Sequence, residues 1–267
     1  MMLMPLFTLS WPERLWRTVQ RWALAWGRIF FLGAVVLVLV LSPSSYGRVP
    51  RRTLAQHIYL DTAPVLVGFT ALAALLCVVV TRIVVVAAMS YGLSRYAMEM
   101  LIRVLVLELI PLTATLFVAM RCTIPSGAQL GLLRQSGHFA ALRRAGADPV
   151  RVELLPRVVA GVFASVTLAA LSCVVALVMV YLSVYGFNLA GLPVYTRTFG
   201  QVFTPAVTLV FALKTLFSSL AVALIPMAAG MYDTGHGVQP DSELGGLARM
   251  FAVLLLIEVG SLLGNYY

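Results

Sequence analysis

Five long segments with almost no charge are the feature that most limits how this chain can fold. They are residues 62–81, 104–120, 158–185, 202–232 and 244–263. A helix needs about 20 mostly apolar residues to cross the hydrocarbon core of a bilayer, and each segment has roughly that length. With 61% hydrophobic and 11% charged residues, the chain is also far more apolar than a soluble domain. An all-α integral membrane protein with five transmembrane helices is therefore predicted.

A shorter apolar run, residues 29–41, precedes these segments and is too short to cross a bilayer without tilt. Before it, apolar residues recur about every 3.6 positions with arginines between them: Trp11, Leu15, Trp16, Val19, Trp22 and Trp26. This pattern predicts an N-terminal region, residues 1–52, formed by an amphipathic interfacial helix and a membrane elbow. Residues 53–267 then form the five-span domain. An ordinary first spanning helix, extended by residues 26–31, stays open as the alternative.

Arginines are distributed unevenly between the predicted connections. Seven precede the first predicted span and six lie between the second and third, whereas residues 90–103 and 186–201 hold only three. Cytoplasmic loops of membrane proteins are enriched in arginine and lysine. We therefore expect a multi-pass membrane protein with a cytoplasmic N-terminus and a C-terminus on the opposite side of the membrane. Because this rule accounts for the positive charge, no nucleic-acid partner is expected.

The connection 121–157 between spans 2 and 3 has the sequence of a folded element. Its residues 128–145 lack proline and favour helix, and Gly137 divides them. Gly146 is suited to end a helix, Asp148 to cap the next one, and Pro149 to occupy its first turn. A helical hairpin on the cytoplasmic face is predicted. It either docks onto a partner protein or is a solvated basic loop.

The order of several motifs resembles the MlaE/YrbE permeases, which are subunits of ABC transporters that work with MCE-domain proteins. Glu108-Leu109-Ile110-Pro111 resembles the E-L-x-P of that family, and Leu130-Gly131-Leu132-Leu133 resembles its L-G-x-M. Ala141-Leu142 followed by Gly146-Ala147-Asp148-Pro149-Val150-Arg151 is similar to the family's A-L-x-x-M-G-x-D-P-x-R. The chain departs from the family in having Gln129 before Leu130-Gly131 and Gln135-Ser136-Gly137-His138 after it.

The resemblance implies a permease dimer, made of two identical or two related chains, that moves phospholipid between the membrane and a periplasmic MCE-domain protein. A separate cytosolic ABC ATPase, with ATP and Mg²⁺ bound in that subunit, would drive transport. The hairpin residues expected to couple to this ATPase are Gly131, Leu133, Ala141, Leu142, Gly146, Asp148, Pro149 and Arg151.

Four charged residues fall inside or beside predicted spans: Arg82, Glu108, Lys214 and Glu258. A charge in the bilayer centre is costly and normally has a partner. We hypothesise that Glu108 pairs with Lys214, and that Glu258 lies near Arg82 or Lys214. Whether such pairs serve transport or only hold helices together stays open. For the lipid cavity we expect apolar walls on the first span, with Val65, Phe69, Leu72 and Leu76 as candidates.

No catalytic, metal-binding or cofactor-binding residues are expected in this chain. Lys214-Thr215 lacks the preceding glycines of a P-loop. Cys77, Cys122 and Cys173 lack the spacing of a zinc site. Two other functions stay open: a secondary transporter or channel that uses the intramembrane charges, and a scaffold subunit that no longer transports.

Overall fold

The computed structural model describes residues 11–42, 48–232 and 240–266. Within these ranges all regular structure is helical, which confirms the all-α prediction. The α-helices are α1 (Trp11–Leu41), α2 (Arg48–Ser90), α3 (Ser94–Met100), α4 (Ile110–Val118), α5 (Ile124–Gln135), α6 (His138–Arg144), α7 (Leu155–Tyr185), α8 (Leu192–Val202), α9 (Pro205–Tyr232) and α10 (Pro240–Tyr266). Three π-helical segments, Leu101–Leu109, Ala119–Thr123 and Val150–Leu154, and a 3₁₀ turn, Leu189–Gly191, complete the described elements.

Six of the described helical stretches are long and apolar enough to cross a membrane. They are Ala23–Leu41, Leu54–Ser90, Tyr96–Gln135, Val150–Tyr185, Pro205–Tyr232 and Gly245–Asn265. The last five coincide with the five predicted spans to within a few residues at the ends or extend beyond them. The first three of these five are clearly longer than predicted because the helices continue through polar residues at their ends, as α2 does from Arg48 to Asp61. The fourth begins at Pro205, three residues later than predicted.

The remaining stretch, Ala23–Leu41, belongs to α1, which runs unbroken through the expected interfacial helix and elbow. The predicted division into those two parts is not confirmed. The buried α1 residues Leu32, Val36 and Leu39 belong to one hydrophobic cluster with Leu130 of α5 and Phe139 of α6. The α9 members of this cluster all lie from residue 223 onwards. α1 therefore packs beside the hairpin and the hairpin-side part of α9.

Proline determines where the three π-helical segments end. Each segment is followed after one residue by a proline: Pro111, Pro125 and Pro156. Proline has no N–H to donate to the preceding turn and its ring crowds the carbonyl four residues earlier. A locally widened turn relieves both problems without breaking the helix. Residues 94–135 consequently form one continuous helix made of α3, α4, α5 and two π segments.

α5 and α9 cross at glycine. A Cβ atom added to Gly230 would lie closer than 3.0 Å to the backbone oxygen of Gly127, and one added to Gly127 would meet the backbone oxygen of Pro226. Small residues allow membrane helices to approach to backbone contact. This contact fixes the start of the hairpin to α9.

The connection between α7 and α9 is also attached to the bundle. Tyr195 of α8 is buried, and its hydroxyl donates a hydrogen bond to the Leu177 carbonyl at 2.8 Å. Its ring contacts Tyr181 edge-on at a centroid distance of 5.3 Å. Burial raises the pKa of Tyr195 to about 12. The hydroxyl therefore stays protonated, and the hydrogen bond holds α8 against α7, at all physiological pH values.

The glycine crossing predicts opposite effects of the same substitution at two sites. Gly230→Ala places a methyl group against a backbone oxygen, and we expect it to lower the free energy of unfolding by about 1–3 kcal/mol. Gly260→Ala in α10 has no atom within 4 Å of the new Cβ, so helix propensity alone predicts a small gain in stability. Thermal unfolding of both variants in the same detergent measures the difference, and equal melting temperatures would contradict the close crossing.

Candidate functional site

Lys214 lies at the centre of a buried polar cluster formed by three spans. Its ammonium group donates to Glu258 Oε1 at 2.9 Å, to Glu108 Oε2, and to the Leu107 carbonyl at 3.3 Å. Asn265 Nδ2 donates to the other Glu108 oxygen at 3.4 Å. Lys214 is on α9, Glu108 on the first π segment, and Glu258 and Asn265 on α10. This charge cluster, formed by Lys214, Glu108, Glu258 and Asn265, therefore joins these three elements.

Burial makes these contacts obligatory. The Lys214 side chain is 3% exposed, and those of Glu108 and Glu258 are 14% and 15% exposed. Removing one partner of a buried ion pair typically costs about 3–5 kcal/mol because an uncompensated charge remains. One lysine faces two carboxylates, so the formal charge of the cluster is negative, and the Lys214 ammonium group is its single cation among the described residues.

The local sequence explains how Glu108 reaches the lysine. Glu108 lies in the π segment that ends before Ile110-Pro111, and π-helical turns re-aim the side chains that they contain. The residues that resemble the E-L-x-P motif therefore include both the acid and the proline that sets its backbone.

The predicted contact between Glu108 and Lys214 is present in the structure. Glu258 also contacts Lys214, so of the two partners proposed for it the structure shows the lysine. Arg82 is not part of the cluster. It is exposed on α2, and none of the ion pairs of the described residues includes it.

The hairpin has the predicted turns, although its first helix begins at Ile124, earlier than residue 128, because it continues directly from the preceding span. α5 and α6 are separated by Gly137 (φ 77°), and Gly146 (φ 75°) follows α6. Asp148 Oδ1 accepts a hydrogen bond from the Val150 amide at 3.1 Å, which caps the next helical turn. Both glycines have a backbone conformation that other residues adopt only at a cost. The two turns of the hairpin are thus defined by its own sequence.

The residues expected to couple to a partner divide into two groups. Ala141, Gly146, Asp148 and Arg151 are exposed. Leu133 and Leu142 instead pack against the hydrophobic cluster that contains Leu130 and Phe139, and Pro149 is buried. Gly131 faces Gly230 of α9, with 3.8 Å between the position of an added Cβ and the Gly230 carbonyl oxygen. The second group holds the hairpin in place, and the first group is the more accessible to another protein.

The polar contacts at the base of the hairpin were not predicted from the sequence. Glu153 accepts from His138 of α6 at 3.3 Å and pairs with Arg157 of α7 at 3.1 Å. Arg134 Nη1 donates to the Met231 carbonyl at the end of α9, at 3.0 Å. The four-residue spacing of Glu153 and Arg157 was a signal of one of these pairs. The contacts of His138 and Arg134 depend on the fold and had no sequence signal.

The four residues proposed for a lipid cavity do not share one surface. Val65 and Phe69 are buried in the main core, where the Phe69 ring lies 4.8 Å from that of Phe117. Leu76 is partly buried against that core. Leu72 is 54% exposed on the outer face of α2. Of these four residues, Leu72 is the one whose side chain is largely open to lipid or to another subunit.

Comparison with protein families identifies the chain. The family model described as Permease MlaE matches residues 54–260, which include the charge cluster up to Glu258 and the whole hairpin. The chain belongs to the MlaE permease family. None of the curated proteins compared with it matches.

Membership of the MlaE family makes this protein the membrane subunit of a multi-subunit ABC transporter involved in lipid transport, and not a catalytic enzyme. The six apolar helical stretches agree with a multi-pass membrane protein. The resemblance drawn from the motifs is thereby confirmed.

The geometry of the cluster predicts a ranking of single substitutions. Lys214→Met leaves two buried carboxylates without a cation, and we expect a loss of about 3–5 kcal/mol in the free energy of unfolding. Glu108→Gln and Glu258→Gln each leave one ion pair intact and should cost less. Arg82→Met, which removes an exposed cation outside the cluster, is the matched control and should change stability little. Equal losses for Lys214→Met and Arg82→Met would contradict the arrangement.

An exchange of charges tests the Glu108–Lys214 contact itself. We expect the double variant Glu108→Lys, Lys214→Glu to be more stable than either single variant, because opposite charges again meet. Recovery is only partial, since Glu258 then faces a carboxylate at position 214. Unfolding of the three variants and the wild type in one detergent gives the coupling energy. A double variant no better than the worse single variant would refute the pairing.

Proposed function

We propose that this MlaE-family chain is the permease subunit that moves phospholipids between the inner membrane and a periplasmic MCE-domain protein. A separate cytosolic ABC ATPase, which binds ATP and Mg²⁺, powers the movement, and this chain binds no cofactor. Two permease chains, identical or related, assemble around the lipid pathway. The N-terminus is cytoplasmic and the C-terminus periplasmic, as the arginine distribution favours.

The observation that carries this proposal is the attachment of the hairpin to α9. The Gly127–Gly230 contact, the hydrogen bond from Arg134 to Met231, and the burial of Leu130 connect the hairpin to the helix that bears Lys214. A rigid element of this kind transmits displacement of a bound partner to the membrane helices. The exposed side of α6, with Ala141, Arg143 and Arg144, is available for such a partner.

In this proposal the charge cluster couples α9 to α10 and to the helix of residues 94–135. When the ATPase moves the hairpin, α9 transfers that motion to both neighbours through Lys214. Because the cluster resists separation of charges, the three elements move together. Movement of the hairpin would therefore shift α9, α10 and the helix of residues 94–135 together, and with them the wall of the lipid pathway that they form.

A buried lysine between two carboxylates also favours a second function, a secondary transporter or channel in which these groups relay protons or ions. A chain that only scaffolds the complex is the other alternative. Only the proposed permease function requires both a docked ATPase and movement of lipid. Measuring these two properties on one purified preparation therefore distinguishes the permease from the secondary transporter and from the scaffold.

The test is to purify the chain from its native membrane with its partners, and to measure ATPase activity and bound phospholipid. We expect both to be present in the wild type. Ala141→Arg adds a bulky cation to the exposed face of α6 without altering Gly146 or the Asp148 cap, and we expect it to reduce copurified ATPase activity about tenfold or more. Such a loss is typical of disrupting the central contact of an interface.

The control is Gln201→Arg, which adds the same side chain to an exposed position on α8, away from the hairpin. It should retain the ATPase. Absence of any ATPase from the wild-type preparation would favour the secondary transporter. An ATPase that stays bound while lipid transfer in vesicles is absent would favour the scaffold.

A further inference from the structure

A cleft between α1, α9 and α10 lies apart from both the charge cluster and the exposed face of the hairpin. Arg28 and Ile29 of α1, Ile225 and Tyr232 of α9, and Arg249 of α10 line it. Three separate helices thus bring two guanidinium groups and a tyrosine to one small space whose other lining residues are alanine and isoleucine. None of the described residues that line it is acidic.

The two arginines are held in place but not neutralised by the described part of the chain. Arg28 Nη1 donates to the Tyr232 carbonyl at 3.4 Å, and Arg249 Nε donates to the Gly245 carbonyl at 2.9 Å. A guanidinium group has five N–H donors, so most of them remain available on each. The ion pairs found among the described residues include neither arginine. Two cations sharing one cleft repel each other, and an anion between them removes that cost.

The depth of the cleft matches the headgroup region of a bilayer. Tyr232 is the last residue of α9, on the side where the hairpin lies. Arg249 is nine residues into α10, or roughly 14 Å from its start. With the orientation proposed above, which the arginine distribution favours, this side lies in the cytoplasmic leaflet. Arginine at such a depth reaches the interface with its charged end while its methylenes stay among apolar residues.

Apolar surface for acyl chains lies on both sides of the cleft. On α1, Phe30 and Phe31 are 70% and 64% exposed, and on α10 Leu255 and Leu256 are 64% and 74% exposed. A molecule that matches two arginines flanked by apolar helix faces has an anionic group such as phosphate at one end and hydrocarbon at the other. Guanidinium groups bind phosphate oxygens through paired, charge-assisted hydrogen bonds.

We infer that Arg28 and Arg249 form a binding site for the phosphate of an anionic phospholipid in the cytoplasmic leaflet. The phosphate lies between the two guanidinium groups, Tyr232 borders it, and the acyl chains follow the exposed faces of α1 and α10. Basic clefts between membrane helices on the cytoplasmic side bind the headgroups of anionic lipids in other membrane proteins. The site lies outside the charge cluster, and it does not depend on the proposed direction or existence of transport.

Binding of defined lipids to the full-length chain tests this site. The chain in detergent is titrated with dioleoylphosphatidylglycerol, and bound lipid is counted by native mass spectrometry. We expect Arg28→Gln and Arg249→Gln each to weaken the saturable binding about fivefold, and the double variant about 25-fold, from roughly 1 kcal/mol per arginine. Dioleoylphosphatidylcholine, whose phosphate is already neutralised by choline, should bind at least about tenfold more weakly.

Arg121→Gln is the matched control, because it removes an exposed arginine on the side of the hairpin but outside the cleft. It should bind phosphatidylglycerol as the wild type does, and unchanged melting temperatures show that the variants are folded. Wild-type affinity in the double variant would overturn the inference, as would equal affinity for the two lipids. Displacement of the lipid by millimolar inorganic phosphate alone would show a site for free anions and would overturn it too.

Discussion

The desolvation of one ammonium group determines how the spans of this protein are arranged. Lys214 is almost fully buried, and leaving its charge without partners would cost several kcal/mol. Two carboxylates and a backbone carbonyl from other elements meet that requirement, which places α10 and residues 101–109 around α9. Apolar packing between membrane helices is weakly directional because lipid tails are equally apolar. The polar cluster therefore supplies specificity that hydrophobic residues do not provide.

The glycine crossing between α5 and α9 connects the charge cluster to the hairpin through α9. Lys214 and Gly230 lie on the same helix, 16 positions apart, which is roughly 24 Å along its axis. The hairpin contact thus lies near the end of α9, and the charge cluster lies about a third of the way along the same helix from its start. Because the crossing is a backbone contact, it leaves no flexible side chain to absorb movement. Displacement of the hairpin and displacement of the charge cluster are geometrically linked.

Much of this fold could be predicted because hydropathy and helix punctuation are local properties. The five spans, the turns at Gly137 and Gly146, and the Asp148 cap all follow from residues near in sequence. The contact between Glu108 and Lys214 followed from a general need for partners, but Arg82 showed the limit of that reasoning: a cation near the end of a span can satisfy its charge at the membrane surface instead. Val65 and Phe69 lie in the core of this chain and not on an open face, and apolar composition alone does not distinguish these two environments. The continuity of α1 likewise depends on packing against α9 and the hairpin, which no local pattern contains.

The proline-linked π segments have a consequence for how the sequence can vary. A π-helical turn holds one residue more than an α-helical turn, so deleting one residue there restores an α-helix and does not break the chain. Because a π turn and an α turn both complete about one full rotation, such a deletion leaves the helix beyond it nearly in phase with the helix before it. A deletion in an α-helical stretch such as α4 would instead rotate everything beyond it by about 100°, since an α-helix has 3.6 residues per turn. In the helix of residues 94–135, the loss of one residue from residues 119–123 would therefore keep Glu108 facing Lys214 and Gly127 facing Gly230, whereas the same loss from α4 would turn Gly127 away from Gly230.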